Sequence, residues 1–127
     1  MPTLLNPFLR ILLVEDHAAT NAALTRLLGA DYTVHTAATA GEALELARAH
    51  PLDLVIADIG LPDQTGWELL KQLRPLHPHV PAIALTGVDY ADDPHRFSEA
   101  GFDVHLSKPA EMAKIRSAIK ALFPDRG

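Results

Sequence analysis

The stretch LVIADIGLPDQTGW, residues 54–67, decides the interpretation of this chain. Its first four residues are apolar, as in a strand that is buried on both faces of a parallel sheet. Asp58 then stands where another apolar residue is expected, and a loop containing Gly60 and Pro62 follows. An aspartate in that place can simply cap a turn. Whether Asp58 does more depends on what the rest of the chain brings to the same end of the strand.

Composition favours one globular domain. The 127 residues are 48% hydrophobic and 21% charged, with a net charge of −5, which gives no reason to expect nucleic acid or an anionic membrane as a partner. The chain has no cysteine, so disulfides and thiolate metal sites are excluded. Its apolar runs are too short for a membrane span, and the N-terminus lacks a signal-peptide pattern. We therefore expect a cytoplasmic protein.

Five short apolar segments alternate with helical patterns. The predicted strands are 10–14, 32–37, 54–57, 82–86 and 104–107. Leucines and isoleucines at spacings of three and four, such as Leu24, Leu27 and Leu28, predict helices with one buried face. Trp67, at the start of the third helix, is expected to be half-buried. The pattern predicts an α/β fold, a single doubly wound (βα)5 domain with a parallel sheet over residues 9–123 and short tails at 1–8 and 124–127.

Polar residues follow four of the predicted strands. Ligands of doubly wound sheets bind beyond the carboxyl ends of the strands, and these ends carry the following residues: Glu15, Asp16, Asp58, Thr86 and Lys108. Three carboxylates in one crevice repel each other unless a cation is present. Mg²⁺ suits such a set, because it prefers carboxylate oxygens, water and phosphate oxygens.

The same residues suit phosphoryl transfer. Asp58 is the candidate nucleophile, because aspartate is a known covalent phosphoryl acceptor. Glu15 and Asp16 would hold the metal. Thr86 offers a hydroxyl donor and Lys108 an ammonium group for the phosphoryl oxygens.

Four segments together resemble a known family. These are ILLVEDHAAT (11–20), LVIADIGLPDQTGWELL (54–70), AIALTG (82–87) and GFDVHLSKPAEM (101–112). In this order they are similar to the receiver domains of response regulators in two-component signalling. The resemblance implies a flavodoxin-like sheet of order 2-1-3-4-5. It also implies phosphorylation by the phosphohistidine of a histidine kinase or a histidine phosphotransfer protein.

The resemblance assigns roles residue by residue. Asp58 would be the phosphoacceptor. Asp16 would bind Mg²⁺ (or Mn²⁺) directly, Glu15 through water, and Gly60 through its backbone carbonyl. Thr86 and Lys108 would contact the phosphoryl group. The Lys108–Pro109 bond would be cis, which X–Pro bonds tolerate.

Three positions bear on how this chain would differ from other members of the family. His105 stands where the family has a Tyr or Phe that turns inward on phosphorylation. Gly60 and Val88 occupy the positions that set the hydrolysis rate, and neither offers a polar side-chain atom to orient water. We expect slow autodephosphorylation by a signalling phosphoacceptor that promotes its own Mg²⁺-dependent phosphorylation and is not an enzyme. Ala19 and Ala23 on the first helix are candidates for kinase docking.

Other functions remain for comparison. A module that keeps the fold but signals without phosphate would be favoured by loss of an acid, Thr86 or Lys108. A haloacid-dehalogenase-type phosphatase needs an acid at position 60, where Gly60 stands. A flavodoxin needs a hydroxyl-rich loop after the first strand, where this chain has EDHA (15–18). We expect a stand-alone or excised receiver, monomeric or weakly dimeric, and GFDVHLSKP (101–109) resembles receivers of hybrid histidine kinases.

Overall fold

The computed structural model describes residues 9–87, 94–109 and 111–124. Strands and helices alternate along the whole of it. Their bounds are β1 (Arg10–Val14), α1 (Ala18–Gly29), β2 (Thr33–Ala37), α2 (Ala40–Ala49), β3 (Leu54–Asp58), α3 (Gly66–Leu73), β4 (Ala82–Thr86), α4 (Pro94–Ala100), β5 (Val104–Ser107) and α5 (Met112–Leu122). The predicted (βα)5 order is confirmed.

The five strands form one parallel sheet in the order β2-β1-β3-β4-β5. Strands β3 and β4 are buried along their whole length, because helices cover both faces of the sheet. In the register of the sheet, Val14 of β1 lies opposite Ala57 of β3, and Asp58 lies opposite Leu85 of β4. The carboxyl ends of these central strands therefore lie side by side.

Two separate cores lie on the two faces of the sheet. Alternate residues of β1 show the division: Leu12 and Val14 pack with α2 and α3, whereas Ile11 and Leu13 pack with α1 and α5. Such alternation is what a strand with a period of two contributes to a three-layer fold. None of the helices within the described ranges is long and apolar enough to cross a membrane.

Two side chains differ from the sequence-based expectation. Leu27 is 39% exposed, because Leu24 and Leu28 alone occupy the face of α1 that meets the sheet. Trp67 is 4% exposed rather than half-buried, and it lies edge-on against the rings of Phe97 and Phe102. An aromatic cluster from α3, α4 and the segment before β5 thus encloses the indole.

Candidate functional site

The candidate site lies where four strands end. Asp58 and Thr86 are the last residues of β3 and β4, Glu15 follows β1, and Lys108 follows β5. Asp58 and Thr86 are buried because β3 and β4 are both interior strands of the sheet. The chain therefore brings together the polar residues that the sequence placed after separate strands.

Three carboxylates form the acidic part of the site. Oxygens of Glu15, Asp16 and Asp58 all lie within 4.8 Å of one another. Glu15 and Asp58 are buried, whereas Asp16 is exposed at the mouth. The predicted acidic cluster is therefore present, with two of its members shielded from water and one facing it.

Lys108 pairs with both buried acids. Its Nζ lies 2.7 Å from Oδ2 of Asp58 and 2.8 Å from Oε1 of Glu15. Burial raises the pKa of Asp58, and nearby Glu15 adds to the rise, while the hydrogen bond from Lys108 works against it. Burial opposes the charge of Lys108, but its hydrogen bonds to Asp58 and Glu15 outweigh this and raise the pKa of the ammonium group.

The donor set fits a hard divalent cation. One ammonium group faces three carboxylates, so the site carries an excess of negative charge that a cation would offset. Carboxylate oxygens are the ligands that Mg²⁺ prefers in proteins. The three acidic side chains could hold the ion, as expected from the sequence.

The hydroxyl of Thr86 lacks a partner. Its Oγ1 is buried and makes no hydrogen bond to any residue in the described ranges. Buried polar groups in proteins are nearly always hydrogen-bonded. A donor held in this way at the end of β4, next to the end of β3, suits a ligand with oxygen acceptors.

Two glycines shape the loop after Asp58. The amide of Gly60 donates to Oδ1 of Asp58 at 3.3 Å, so the loop turns back toward the carboxylate. At Gly66 a Cβ would stand 2.6 Å from the backbone oxygen of Asp58, a distance that only glycine avoids. This role of Gly66 was not predicted from the sequence; its signal is a glycine in the first turn of α3.

The remaining predicted residues lie around this centre. The Lys108–Pro109 bond is cis, as predicted. His105 is exposed, and its ring lies parallel to that of Phe97 with centroids 4.4 Å apart. Ala19 and Ala23 are exposed on α1. Val88 lies outside the described residues.

Two residues that the sequence did not single out connect the loops of the site. Asn21 of α1 donates from Nδ2 to the backbone oxygen of Glu15 at 2.9 Å. Asp63, in the loop after β3, accepts from the backbone amides of Ala40 and Gly41, each at 2.9 Å. The bonds of Asp63 join residues more than twenty positions apart in the chain, so no local pattern could have indicated them.

Comparisons with known proteins agree with this geometry. Residues 11–120 match the family described as the response regulator receiver domain. The sensor histidine kinase RcsC of Escherichia coli K12 is 30% identical over 122 residues, which are 95% of this chain and 13% of that protein. The transcriptional regulatory protein CusR of the same strain is 31% identical over 116 residues, 91% of this chain and 51% of that protein. This chain thus spans only part of these relatives.

A solved structure is also close in fold. The response regulator receiver domain protein (CheY-like) from Methanospirillum hungatei JF-1 superposes with a TM-score of 0.86 and 32% sequence identity. The match covers 94% of this chain and 96% of that one. The shared fold therefore extends over almost the entire length of both chains.

Proposed function

The chain belongs to the response regulator receiver domain family of two-component signalling, and on that premise we propose that Asp58 is its phosphoacceptor. The donor would be the phosphohistidine of a histidine kinase or of a histidine phosphotransfer protein. The single observation that carries the proposal is the position of Asp58. It is a buried carboxylate inside an acidic cluster, bonded to the ammonium group of Lys108.

The chemistry follows from these groups. An oxygen of Asp58 attacks the phosphorus, a P–O bond forms, and the P–N bond to the partner's imidazole breaks, the imidazole keeping the electron pair and taking up a proton. Lys108 and the unpaired hydroxyl of Thr86 then contact the phosphoryl oxygens, where they offset negative charge. A bound divalent cation supplies further charge neutralisation for the crowded oxygens.

We propose Mg²⁺ (or Mn²⁺) as that cation. Asp16 would bind it directly, Glu15 through water, and Asp58 through its carboxylate, with the backbone carbonyl of Gly60 as a further ligand. The proximity of the three carboxylates supports their assignment as ligands. The hydrogen bond from the Gly60 amide to Asp58 keeps the loop that carries Gly60 close to these carboxylates.

Signalling requires a group whose contacts differ between two states. We propose Lys108 and Thr86 as these groups. On phosphorylation, the ammonium group of Lys108 and the hydroxyl of Thr86 would both form new contacts with phosphoryl oxygens. His105 lies outward against Phe97, so the inward turn of the family's aromatic residue would require that stack to break. A module that signals without phosphate would have no use for a lysine held between two buried acids.

The setting of the reaction is proposed as well. We propose a cytoplasmic domain, monomeric or weakly dimeric, whose partner docks beside the site on the face of α1 that carries Ala19 and Ala23. Both alanines are exposed, and small side chains would let a partner helix approach closely. Contacts with nucleic acid or membrane are not part of this proposal.

The test is phosphorylation with and without metal. The chain is incubated with a phosphorylated kinase, or with a small acyl phosphate, in Mg²⁺ and again with a chelator. Labelling should require the metal, should vanish in Asp58→Asn, and should persist in the matched control Asp53→Asn, which alters the acid at the other end of β3. Equal labelling with and without chelator would contradict the metal assignment.

A further inference from the structure

The turn that follows β2 carries no acidic side chain. It is nevertheless hydrogen-bonded to the two loops that carry acidic residues, the loop after β1 and the loop after β3. We define the β2–α2 connection as residues 37–41, from the last residue of β2 to the second residue of α2. The backbone amide of Glu15 donates to the backbone oxygen of Ala37 at 3.0 Å. The connection therefore lies directly beside the acidic pair at the end of β1.

Asn21 strengthens that contact. Its Nδ2 donates to the backbone oxygens of Glu15 at 2.9 Å and Ala37 at 3.3 Å. Its Oδ1 accepts from the hydroxyls of Thr25 at 3.1 Å and Thr36 at 2.5 Å. Two donor bonds and two acceptor bonds use the whole capacity of the amide. A side chain fixed in this way can occupy only one position, and it holds the end of β1 against the end of β2.

Asp63 makes the second connection. Its two carboxylate oxygens accept from the backbone amides of Ala40 and Gly41, which lie at the free N-terminus of α2. These bonds lower the pKa of Asp63, since they favour its charged form. The loop that carries Asp63 is closed at its base by a bridge between Gly60 and Thr65. The tip of the loop is thus attached to α2 and its base lies beside Asp58.

We propose that the β2–α2 connection braces the magnesium site, with Asn21 and Asp63 as positioning residues. Asn21 would act through the backbone of Glu15, and Asp63 through the loop that holds Gly60. The inference rests on the proposed function, because it assumes that the carboxylates bind Mg²⁺. The physical reason is that Mg²⁺ demands nearly ideal octahedral geometry, so ligands on two separate loops must keep a fixed separation.

The test measures the Kd for Mg²⁺ by calorimetry on the full chain, without any phosphoryl donor. Asn21→Ala and Asp63→Ala should each raise Kd about 10-fold, the lower end of what loss of an outer partner costs a metal site. Asp63→Asn keeps one carbonyl acceptor and should restore part of the affinity. Asp63 is exposed, so its variants keep the fold even if Asn21→Ala loses it.

Two controls separate positioning from general loss of stability. Gln72→Ala removes the two amide hydrogen bonds between Gln72 of α3 and Gln64. Gln64 lies in the same loop as Asp63, but these bonds connect that loop to α3 and not to α2. Arg10→Ala weakens the opposite end of β1. Both should lower the free energy of unfolding while leaving Kd unchanged.

The outcomes are distinct. Unchanged Kd in both positioning variants, or an equal rise in Gln72→Ala, would overturn the brace and leave the proposed function standing. Absence of Mg²⁺ binding in the unmodified chain would overturn both proposals.

Discussion

Two aspartates bracket strand β3, and their surroundings differ. Asp53, just before the strand, accepts hydrogen bonds from Arg10 through the backbone amide at 2.8 Å and through Nε at 3.0 Å and Nη2 at 3.3 Å. Its own amide donates to the Arg10 backbone oxygen at 2.8 Å. One acid meets one cation there, and both are close to solvent. The charge of Asp53 is therefore balanced by Arg10 at this end of the sheet.

Asp58, at the other end of the same strand, shares its cation. Lys108 divides its contacts between Asp58 and Glu15, and Asp16 adds a third carboxylate to the cluster. Burial raises the pKa of Asp58, and the nearby Thr86 hydroxyl makes no hydrogen bond within the described part of the chain. Charge is thus balanced at the end of the sheet that only stabilises the fold, whereas the proposed ligand site keeps an excess of negative charge.

The largest expected effect comes from removing the shared cation. Lys108→Ala leaves two buried carboxylates facing each other, so the free energy of unfolding without divalent ions should fall by about 2 kcal/mol. That is below the cost for fully enclosed pairs, because the lysine side chain is 29% exposed. Urea unfolding measures it, with Arg10→Ala as the matched change at the other end of the sheet.

The same variant bears on signalling. The fold should remain intact, but the spectral change at α4 and β5 that we expect when beryllofluoride, a mimic of the phosphoryl group, is added should be lost, because no ammonium group would contact the mimic. A loss of stability no larger than that of Arg10→Ala, or a spectral change of normal size, would remove the distinction between the two ends.

A smaller effect concerns pH. The raised pKa of Asp58 means that the folded chain binds this proton more tightly than the unfolded chain, whose value is near 3.8. The contribution of Asp58 to stability therefore falls as pH rises from about 4 toward its folded pKa. Without metal, Asp58→Asn should be more stable than the unmodified chain at pH 7, because it removes a carboxylate whose charged form burial disfavours.

Unfolding at several pH values checks this expectation. The advantage of Asp58→Asn should shrink as pH falls through the raised pKa of folded Asp58 toward the unfolded value near 3.8, because the aspartate is then neutral in the folded chain. Asp53→Asn, which loses charge in its pair with Arg10, should be less stable than the unmodified chain at pH 7. The same sign of effect at both aspartates would break the comparison.

The lifetime of the phosphoryl group tests the loop beside Asp58. Positioning of water is most of the catalysis in such hydrolysis, and neither Gly60 nor Val88 has a polar side-chain atom. The double variant Gly60→Asn, Val88→Glu should lose its label several-fold faster than the unmodified chain. Decay of labelled protein over time gives the answer, and unchanged or slower decay would show that these positions do not set the rate.

The smallest expected effect lies at the edge of the site. His105→Ala removes the stack on Phe97, and such aromatic pairs contribute about 0.5–1.5 kcal/mol. Because His105 is exposed, the loss should be at the lower end, with a change in Trp67 fluorescence through Phe97. His105→Phe should restore both. Fluorescence that is unaffected by either variant would separate His105 from the aromatic cluster.

The sequence was sufficient for some of these features. Short apolar runs predicted all five strands, and the ends of four of them indicated Glu15, Asp58, Thr86 and Lys108. These features are local, because a strand's end can be read from a few neighbouring residues. The exposure of Leu27 could not be read in that way, since it depends on where α1 meets the sheet.

Long-range contacts could not be predicted from the sequence. Asp63 bonds to the start of α2, more than twenty residues earlier, and Asn21 reaches the end of β2. Polar residues in loops and on helix surfaces are common, so nothing in their neighbourhoods indicates a partner. The outward position of His105 likewise depends on Phe97, a residue of another element.

The role of Asp58 as phosphoacceptor is tested most directly by locating the phosphoryl group. After phosphorylation in Mg²⁺, the chain is digested and its peptides are mapped by mass spectrometry under conditions that preserve or trap acyl phosphates. We expect a single modified site at Asp58, in a peptide that also contains an unmodified Asp63, and no modification of Asp58→Asn. A phosphoryl group on Asp53, Asp16 or any histidine, or persistent modification of Asp58→Asn, would contradict it.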